Sequence, residues 1–170
     1  MPICSPWSSR RRHTLGGCMQ HEDVSSLSAL LETWATYNAI NLALLKALPE
    51  GGLAAVCASG GMTVGQQFGH MHNTRMRWAK ESEPELTEGG LRFDYEKSPS
   101  LEELSEALKA SGQMIGLLLL RRSQAGLRVE RFSGPLTSFV GYLISHESHH
   151  RGQMVLALKQ SGLLFPMSRA

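Results

Sequence analysis

The sequence predicts an all-α protein, a four-helix bundle that forms a single domain. Four long segments carry apolar residues at helical spacing, capping motifs and Pro or Gly residues bound them, and no stretch keeps the alternation of a strand for long. The chain has 170 residues, of which 42% are hydrophobic and 19% charged, and this is enough to bury one core without disulfides. We therefore expect a bundle over residues 23–165, preceded by a flexible tail over residues 1–22.

The first helix is predicted to begin at Ser25 or Ser26 and to end at about Leu48. Its apolar residues recur at helical spacing, and a proline followed shortly by two glycines stops the pattern. These apolar residues are Leu27, Leu30, Leu31, Trp34, Ile40, Leu42, Leu45 and Leu48.

The second helix is predicted to begin after Thr63, because Thr63 and Gln66 have the spacing of a capping box, in which each side chain accepts a hydrogen bond from the other residue's backbone. We expect this helix to end near Glu81. Residues 81–99 contain prolines and paired glycines and predict a long loop, which can lie over one end of the bundle.

The third and fourth helices have their own boundary signals. Ser100 and Glu103 form a second capping-box pattern, and the helix that they start is expected to end around Ser123. Pro135 is placed in the first turn of the fourth helix, where a proline is tolerated, and Gly162 is its expected stop. Four amphipathic helices without strands predict the bundle.

Composition excludes several classes of partner and location. The net charge of +2 and the pI of about 8.5 give no strong field toward nucleic acid or an anionic membrane. The odd set Cys4, Cys18 and Cys57 contains no C-x-x-C pair, and this favours a reducing compartment. No apolar run reaches the roughly 18 to 20 residues of a membrane span, and residues 1–20 lack the apolar core of a secretory signal. We expect a soluble, cytoplasmic protein without nucleic-acid or membrane partners.

The first 21 residues differ in composition from the rest of the chain. They are rich in serine, contain Arg10, Arg11 and Arg12, and precede the first acidic residue, Glu22. A disordered extension, or an upstream start codon with Met19 as the true beginning, is the favoured interpretation. A transit peptide or a nucleic-acid-binding arm remains open, and if the arm binds DNA, deletion of residues 1–18 should abolish that binding.

The segment HESHHRGQ, which starts at His146, contains the H-E-x-x-H pattern of zinc peptidases, in which two histidines bind zinc and the glutamate is the general base. Such peptidases take a third ligand from further along the chain, but no histidine or acidic residue follows His150. The predicted bundle also offers no edge strand for a peptide. A metallopeptidase is therefore disfavoured, and Glu147 is expected at the surface or behind a ligand rather than as a base.

His146 and His150 share the apolar face of the fourth helix, since they lie about 40° apart around its axis. His149 lies at the margin of this face and is the weaker ligand candidate. Two imidazoles one turn apart suit one tetrahedral metal ion, and burying both without partners would be costly. The pair therefore holds a metal or is satisfied by hydrogen bonds. The third ligand must come from upstream, where His70 and His72 flank an apolar stripe on opposite sides, so periodicity does not choose between them.

Two polar residues beside the pair also have candidate roles. Arg151 can turn toward a neighbouring helix, where a salt bridge is favoured over the binding of a substrate carboxylate. Gln153 faces the pair and is predicted to hydrogen-bond the imidazole of a ligand histidine.

Two segments together resemble the DinB/YfiT-like family of metal-binding four-helix bundles: FGHMHNTRMRW on the second helix and HESHHRGQ on the last. The resemblance covers about residues 24–164, and its most specific part is H-x-x-H-H-R-G-Q. It implies one divalent metal ion, bound by one histidine of the second helix and the pair of the last. By position these ligands fall on His70, His146 and His150, with His72 as the fallback for the first. The arginine-rich tail is not part of the family pattern.

The resemblance also implies a function. Characterised members of the family that this chain resembles include transferases and isomerases in which the metal activates a low-molecular-weight thiol, so we expect a metal-dependent enzyme, with thiol-dependent S-transfer to a small molecule as its reaction. Zinc or nickel is the expected metal, although imidazole also suits iron and copper. No catalytic residue is assigned. The alternative is a non-catalytic bundle that binds a metal or ligand and acts through oligomerisation, for which a homodimer is the simplest form.

Overall fold

The computed structural model describes residues 19–94, 96 and 99–163, with side chains described from Ser26 onward. Within this part of the chain there are four α-helices and no strand, which confirms the predicted four-helix bundle. The helices are α1 (Met19–Lys46), α2 (Val64–Ser82), α3 (Leu101–Gln124) and α4 (Leu136–Gln160). Short 3-10 turns occupy Gly52–Ala54 and Pro84–Thr87. Residues 1–18 of the predicted tail lie outside the described residues.

Both predicted capping boxes are formed. The Thr63 hydroxyl accepts the Gln66 N–H at 3.2 Å, and the Gln66 side chain accepts the Thr63 N–H at 2.9 Å. Ser100 and Glu103 make the same reciprocal pair at the start of α3. The sequence therefore predicts the starts of these two helices correctly, because a capping box involves only residues three positions apart.

Two boundaries differ from the sequence prediction. Helix α1 begins at Met19 rather than at Ser25 or Ser26, because no glycine or proline interrupts the polar residues ahead of the first apolar position. Pro135 is the N-cap of α4 and so lies just before the first turn rather than within it.

The core consists of two apolar clusters separated by a polar layer. One cluster is formed around Trp34, Ile115 and Phe139, and the other around Phe68 and Met154. On every helix a buried polar residue lies between the positions that contribute to the two clusters. These residues are Asn41, Arg75, Ser111 and Glu147.

Arg75 is the centre of the polar layer and contacts all three other helices. Its side chain is 0% exposed and makes two hydrogen bonds of 2.7 and 2.9 Å to the carboxylate of Glu147 on α4. Its remaining N–H groups donate to Asn38 on α1 at 2.9 Å, and to Leu108 O and Ser111 Oγ on α3 at 3.1 and 3.4 Å. The register of the four helices is therefore fixed around one buried charge pair.

Helices α1 and α3 approach each other closely at Gly112. The indole N–H of Trp34 donates to the carbonyl of Gly112 at 2.8 Å. A Cβ atom at position 112 would lie 2.3 Å from Nδ2 of Asn38, so a larger residue there would displace the Asn38 side chain. The close approach brings Asn38 within reach of Arg75.

The connection between α2 and α3 packs along the side of α2. The Asn73 side chain donates to Phe93 O at 2.8 Å and accepts from Phe93 N at 3.1 Å. The long loop predicted for this region therefore covers a helix flank near α3.

Among the described residues, no helix combines the length and apolarity that a membrane crossing requires.

Candidate metal centre

Three histidines converge between α2 and α4. His70 comes from α2, and His146 and His150 come from successive turns of α4. One nitrogen from each ring can be chosen so that all three lie within 4.8 Å of one another. The Nε2 atoms of His70 and His146 are 3.2 Å apart, close to the separation of about 3.3 Å that two imidazole ligands of one tetrahedral zinc ion adopt.

The packing of α2 decides between its two histidines. His70 faces α4, whereas His72 faces α3 and the connection that follows α2. The ring nitrogens of His72 lie 3.0 Å from Ala107 O and 2.8 Å from Leu91 O, so the ring is held between two backbone carbonyls and its N–H donates to one of them. The structure therefore brings His70 to the α4 pair and leaves His72 outside it. His149, the weaker candidate, is exposed and is not part of the cluster.

The clustered rings are held in the neutral form that metal binding requires. Burial, followed by the nearby charges of His146 and His70, lowers the pKa of His150 from 6.5 to about 4. Burial is also the main cause that lowers the pKa of His70 and of His146, and the positive charge of Arg77 adds to both shifts. At pH 7 the three imidazoles therefore offer lone pairs rather than a cluster of positive charges.

The donor set suits a divalent ion of intermediate softness. Three neutral nitrogen ligands leave one position of a tetrahedral ion for water or substrate, as in catalytic zinc sites. Among the described residues, no cysteine, aspartate or glutamate joins the cluster as a fourth ligand. The buried Nδ1 of His146 has no hydrogen-bond partner. The 3.2 Å contact can also hold a hydrogen bond between two neutral imidazoles, so metal content is the quantity that distinguishes the two interpretations.

Gln67 provides a hydrogen-bond partner for the ring of His150. Its Oε1 lies 3.3 Å from Nδ1 of His150, and its amide group is anchored by a 3.3 Å hydrogen bond to Met62 O. The prediction that Gln153 fills this role is wrong, because Gln153 is exposed and only its backbone carbonyl is used, by the thiol of Cys57. Gln67 precedes His70 by three residues and so shares its helix face, a signal that the sequence carries.

Glu147 is buried and bound, and it is not a surface residue. It is 1% exposed, Arg75 binds both of its oxygens, and the Asn41 side chain donates to one of them at 2.5 Å. Its carboxylate is therefore not free to act as the base of an H-E-x-x-H peptidase. The helical wheel of α4 could not predict the ion pair between Glu147 and Arg75, because Arg75 is buried on another helix.

Arg151 reaches across the helix interface as expected, but its partner is an amide rather than a carboxylate. Its Nη1 donates to Asn41 Oδ1 at 2.6 Å, and its guanidinium lies 5.4 Å from the ring centroid of Tyr37. The predicted salt bridge is therefore replaced by a hydrogen bond to the same Asn41 that binds Glu147.

A cavity of about 290 Å³ borders the cluster at His150. The loop before α2 forms one wall through Cys57 and Gly60, and Gln67 and Gln153 form the other. None of the side chains that line it is an acid, a lysine or an arginine. A small molecule in this cavity would contact the edge of a clustered histidine.

No curated protein and no solved structure shows significant similarity to the chain. A family model with the description DinB family matches residues 19–168, which include the whole described bundle and the three clustered histidines. Since this match covers most of the sequence, the resemblance carried by FGHMHNTRMRW and HESHHRGQ is confirmed, and the chain belongs to the DinB family.

Proposed function

We propose that this protein is a metal-dependent enzyme whose divalent ion is held by His70, His146 and His150. The observation that carries the proposal is the convergence of three neutral imidazoles, with nitrogens within 4.8 Å, beside a cavity of about 290 Å³. Sites that only stabilise a fold usually have four protein ligands, whereas three ligands leave a position for chemistry.

The residues of the chain have separable tasks in this proposal. The three histidines bind zinc or nickel, and Gln67 orients His150 through its Nδ1. Burial keeps the rings unprotonated, so protons do not compete with the metal at neutral pH. An ion held by these residues would lower the pKa of a coordinated water or thiol and would polarise a carbonyl group.

The proposed reaction is S-transfer from a low-molecular-weight thiol to a small electrophile. The cavity beside His150 is at the lower end of the size of small-molecule sites, and its uncharged lining suits the thiol-bearing end of a small molecule. In this reaction the S–H proton of the thiol passes to solvent, the sulfur forms a bond to the electrophilic atom, and the leaving group departs with the electron pair of the bond that breaks.

The second candidate is a non-catalytic metal- or ligand-binding bundle that acts through oligomerisation. The position of the cluster supports it, because a metal bound there would join α2 to α4. A coordination sphere filled by protein ligands, with no position at which an added thiol can bind, would favour this candidate.

The first test is the metal content of protein purified without a polyhistidine tag, measured by elemental mass spectrometry. We expect near-stoichiometric metal in the parent protein and in His72→Ala and His149→Ala, and loss of metal in His150→Ala. His149→Ala is the matched control, because it removes the neighbouring exposed imidazole from the same helix.

Three outcomes would contradict the proposal. If the parent protein carries no metal and takes up neither zinc nor nickel, the histidines are hydrogen-bonded core residues. If metal is bound but no thiol transfers to any of a panel of small electrophiles, the non-catalytic candidate replaces the enzyme. If His150→Ala keeps its metal and His72→Ala loses it, the proposed ligand set is wrong.

A further inference from the structure

A second cavity, of about 300 Å³, lies on the side of α2 that His72 faces. It is enclosed by α2, by α3 and by the connection between them, and none of the three clustered histidines lines it. It is therefore separate from the candidate metal centre, and a ligand bound in it would be independent of the proposed function.

The walls of this cavity are mainly apolar and adaptable. Met76 and Met114 contribute thioethers from α2 and α3, and Leu86 and Leu91 contribute from the connection. Methionine side chains adjust to the shape of a ligand because they are unbranched and flexible. Leu91 is 52% exposed, so part of the apolar wall continues to the surface.

The charged side chains that line the cavity are both acidic. Glu103 and Glu106 of α3 line it and are both exposed, whereas no lysine or arginine lines it. Glu103 accepts the Ser100 N–H at 2.8 Å and keeps its charge in doing so. Both ring nitrogens of His72 face backbone carbonyls and are not directed at a ligand. An apolar slot whose mouth bears two carboxylates is complementary to a molecule with an apolar body and a positive end.

We propose that this cavity binds a small amphiphilic amine, with its hydrocarbon part between Met76 and Met114 and its ammonium group near Glu106. Burial of the hydrocarbon supplies most of the affinity, and the carboxylates select the charge of the head group. A neutral or anionic molecule of the same length binds more weakly.

The test uses n-octylamine as the probe and follows the isotope-labelled methionine methyl groups of the full-length protein by NMR. We expect saturable shifts of the Met76 and Met114 methyl signals, while the signals of Met71 and Met154, buried in the other apolar cluster, stay in place. Octanoate should bind at least about tenfold more weakly than the amine, because its charge is repelled at the mouth.

Three variants locate the site. Ala110 is exposed and lines the cavity, so Ala110→Phe should block the mouth and weaken octylamine binding about tenfold or more. Lys109→Phe adds the same ring at the neighbouring exposed position, which does not line the cavity, and should leave binding unchanged. Glu106→Gln should weaken binding about two- to fivefold, the range of a solvent-exposed ion pair.

The proposal is overturned if octylamine produces no saturable shift at Met76 and Met114. It is also overturned if octanoate binds as tightly as the amine, or if Ala110→Phe and Lys109→Phe behave alike. Each substitution lies at an exposed position and is expected to leave the fold intact. Unchanged signals of the buried Met71 and Met154 verify this.

Discussion

Gln67 holds the ring of His150 in a defined orientation, and the metal affinity of the proposed site is expected to depend on this contact. Gln67 is 2% exposed, and its side chain is held between Met62 O and the Nδ1 of His150. A hydrogen bond to one ring nitrogen fixes which nitrogen remains available to a metal. Gln67 is therefore part of the site although it is not a ligand.

We expect Gln67→Leu to lower the metal affinity by about tenfold or more, because the ring of His150 loses its acceptor. The measurement is competition for the metal against a chelator of known affinity. Gln153→Leu is the matched control, since Gln153 borders the same cavity but does not contact the ring. Equal losses in the two variants would show that the orientation of His150 is set elsewhere.

The lowered pKa of His150 predicts how the stability of the metal-free protein depends on pH. The unfolded chain protonates this ring below about 6.5, whereas the folded chain does so only near 4, so the folded state binds fewer protons between these values. The free energy of unfolding should therefore fall as the pH falls from 6.5 to 4, by about 1 to 3 kcal/mol from this residue.

The measurement is urea unfolding across this pH range in the presence of a chelator. His150→Gln should show a shallower fall than the parent, because the titrating ring is absent. His149→Gln, substituted at the exposed neighbour, should follow the parent. A parent and a His150→Gln variant with the same slope would contradict the assignment.

Part of the histidine cluster could be predicted from individual residues of the sequence. The helical wheel correctly put His146 and His150 on one inner face, since this depends only on their spacing. It could not separate His70 from His72, because each flanks the apolar stripe of α2 and only the packing of α4 and α3 distinguishes them. Family resemblance, and not periodicity, selected His70.

At the scale of helices, two cross-links join α2 to α4 side by side. One is the histidine cluster, and the other is the ion pair between Arg75 and Glu147, which is adjacent to His146 in the sequence. Because both charges are almost fully buried, loss of either one leaves the other without compensation. The ion pair thus sets the register in which His70 meets the α4 pair.

We expect Glu147→Gln to reduce the free energy of unfolding by about 3 to 5 kcal/mol, because the guanidinium of Arg75 stays buried without its carboxylate. The control is Glu81→Gln, which removes the ion pair with Arg131 at 3.1 Å, where the two side chains are 36% and 77% exposed, and should cost less than about 1 kcal/mol. Urea unfolding measures both. Similar losses in the two variants would mean that the buried pair does not hold the register.

The elements themselves were largely predictable, whereas the contacts between them were not. The starts of α2 and α3 follow from capping boxes that involve residues three apart, so the sequence contains them completely. The buried state of Glu147 depends on Arg75, 72 positions away, and no local pattern reports such a partner. The start of α1 lies earlier than its apolar pattern indicates, because the first turns of this helix are polar.

For the whole molecule, a metal bound by the three histidines would add a cross-link between α2 and α4. We expect saturating zinc or nickel to stabilise the fold by about 4 kcal/mol at a thousandfold excess over Kd. This corresponds to a rise in Tm of about 8 to 16 °C for a domain of this size.

Scanning calorimetry with and without a chelator measures this rise. His150→Ala should show none of it, because its ligand set is incomplete, and His149→Ala should show all of it. A rise that survives in His150→Ala would place the stabilising metal at another site.

Arg75 also has a consequence for how the chain assembles. Its guanidinium contacts α1, α3 and α4, but only α4 supplies a carboxylate. When α4 packs against the other helices it covers the guanidinium of Arg75 and supplies its counterion in the same step. A bundle that closed around Arg75 without Glu147 would lose several kcal/mol, so burial of the charge and docking of the last helix are coupled. The residue that aligns the finished bundle thus also makes its folding cooperative.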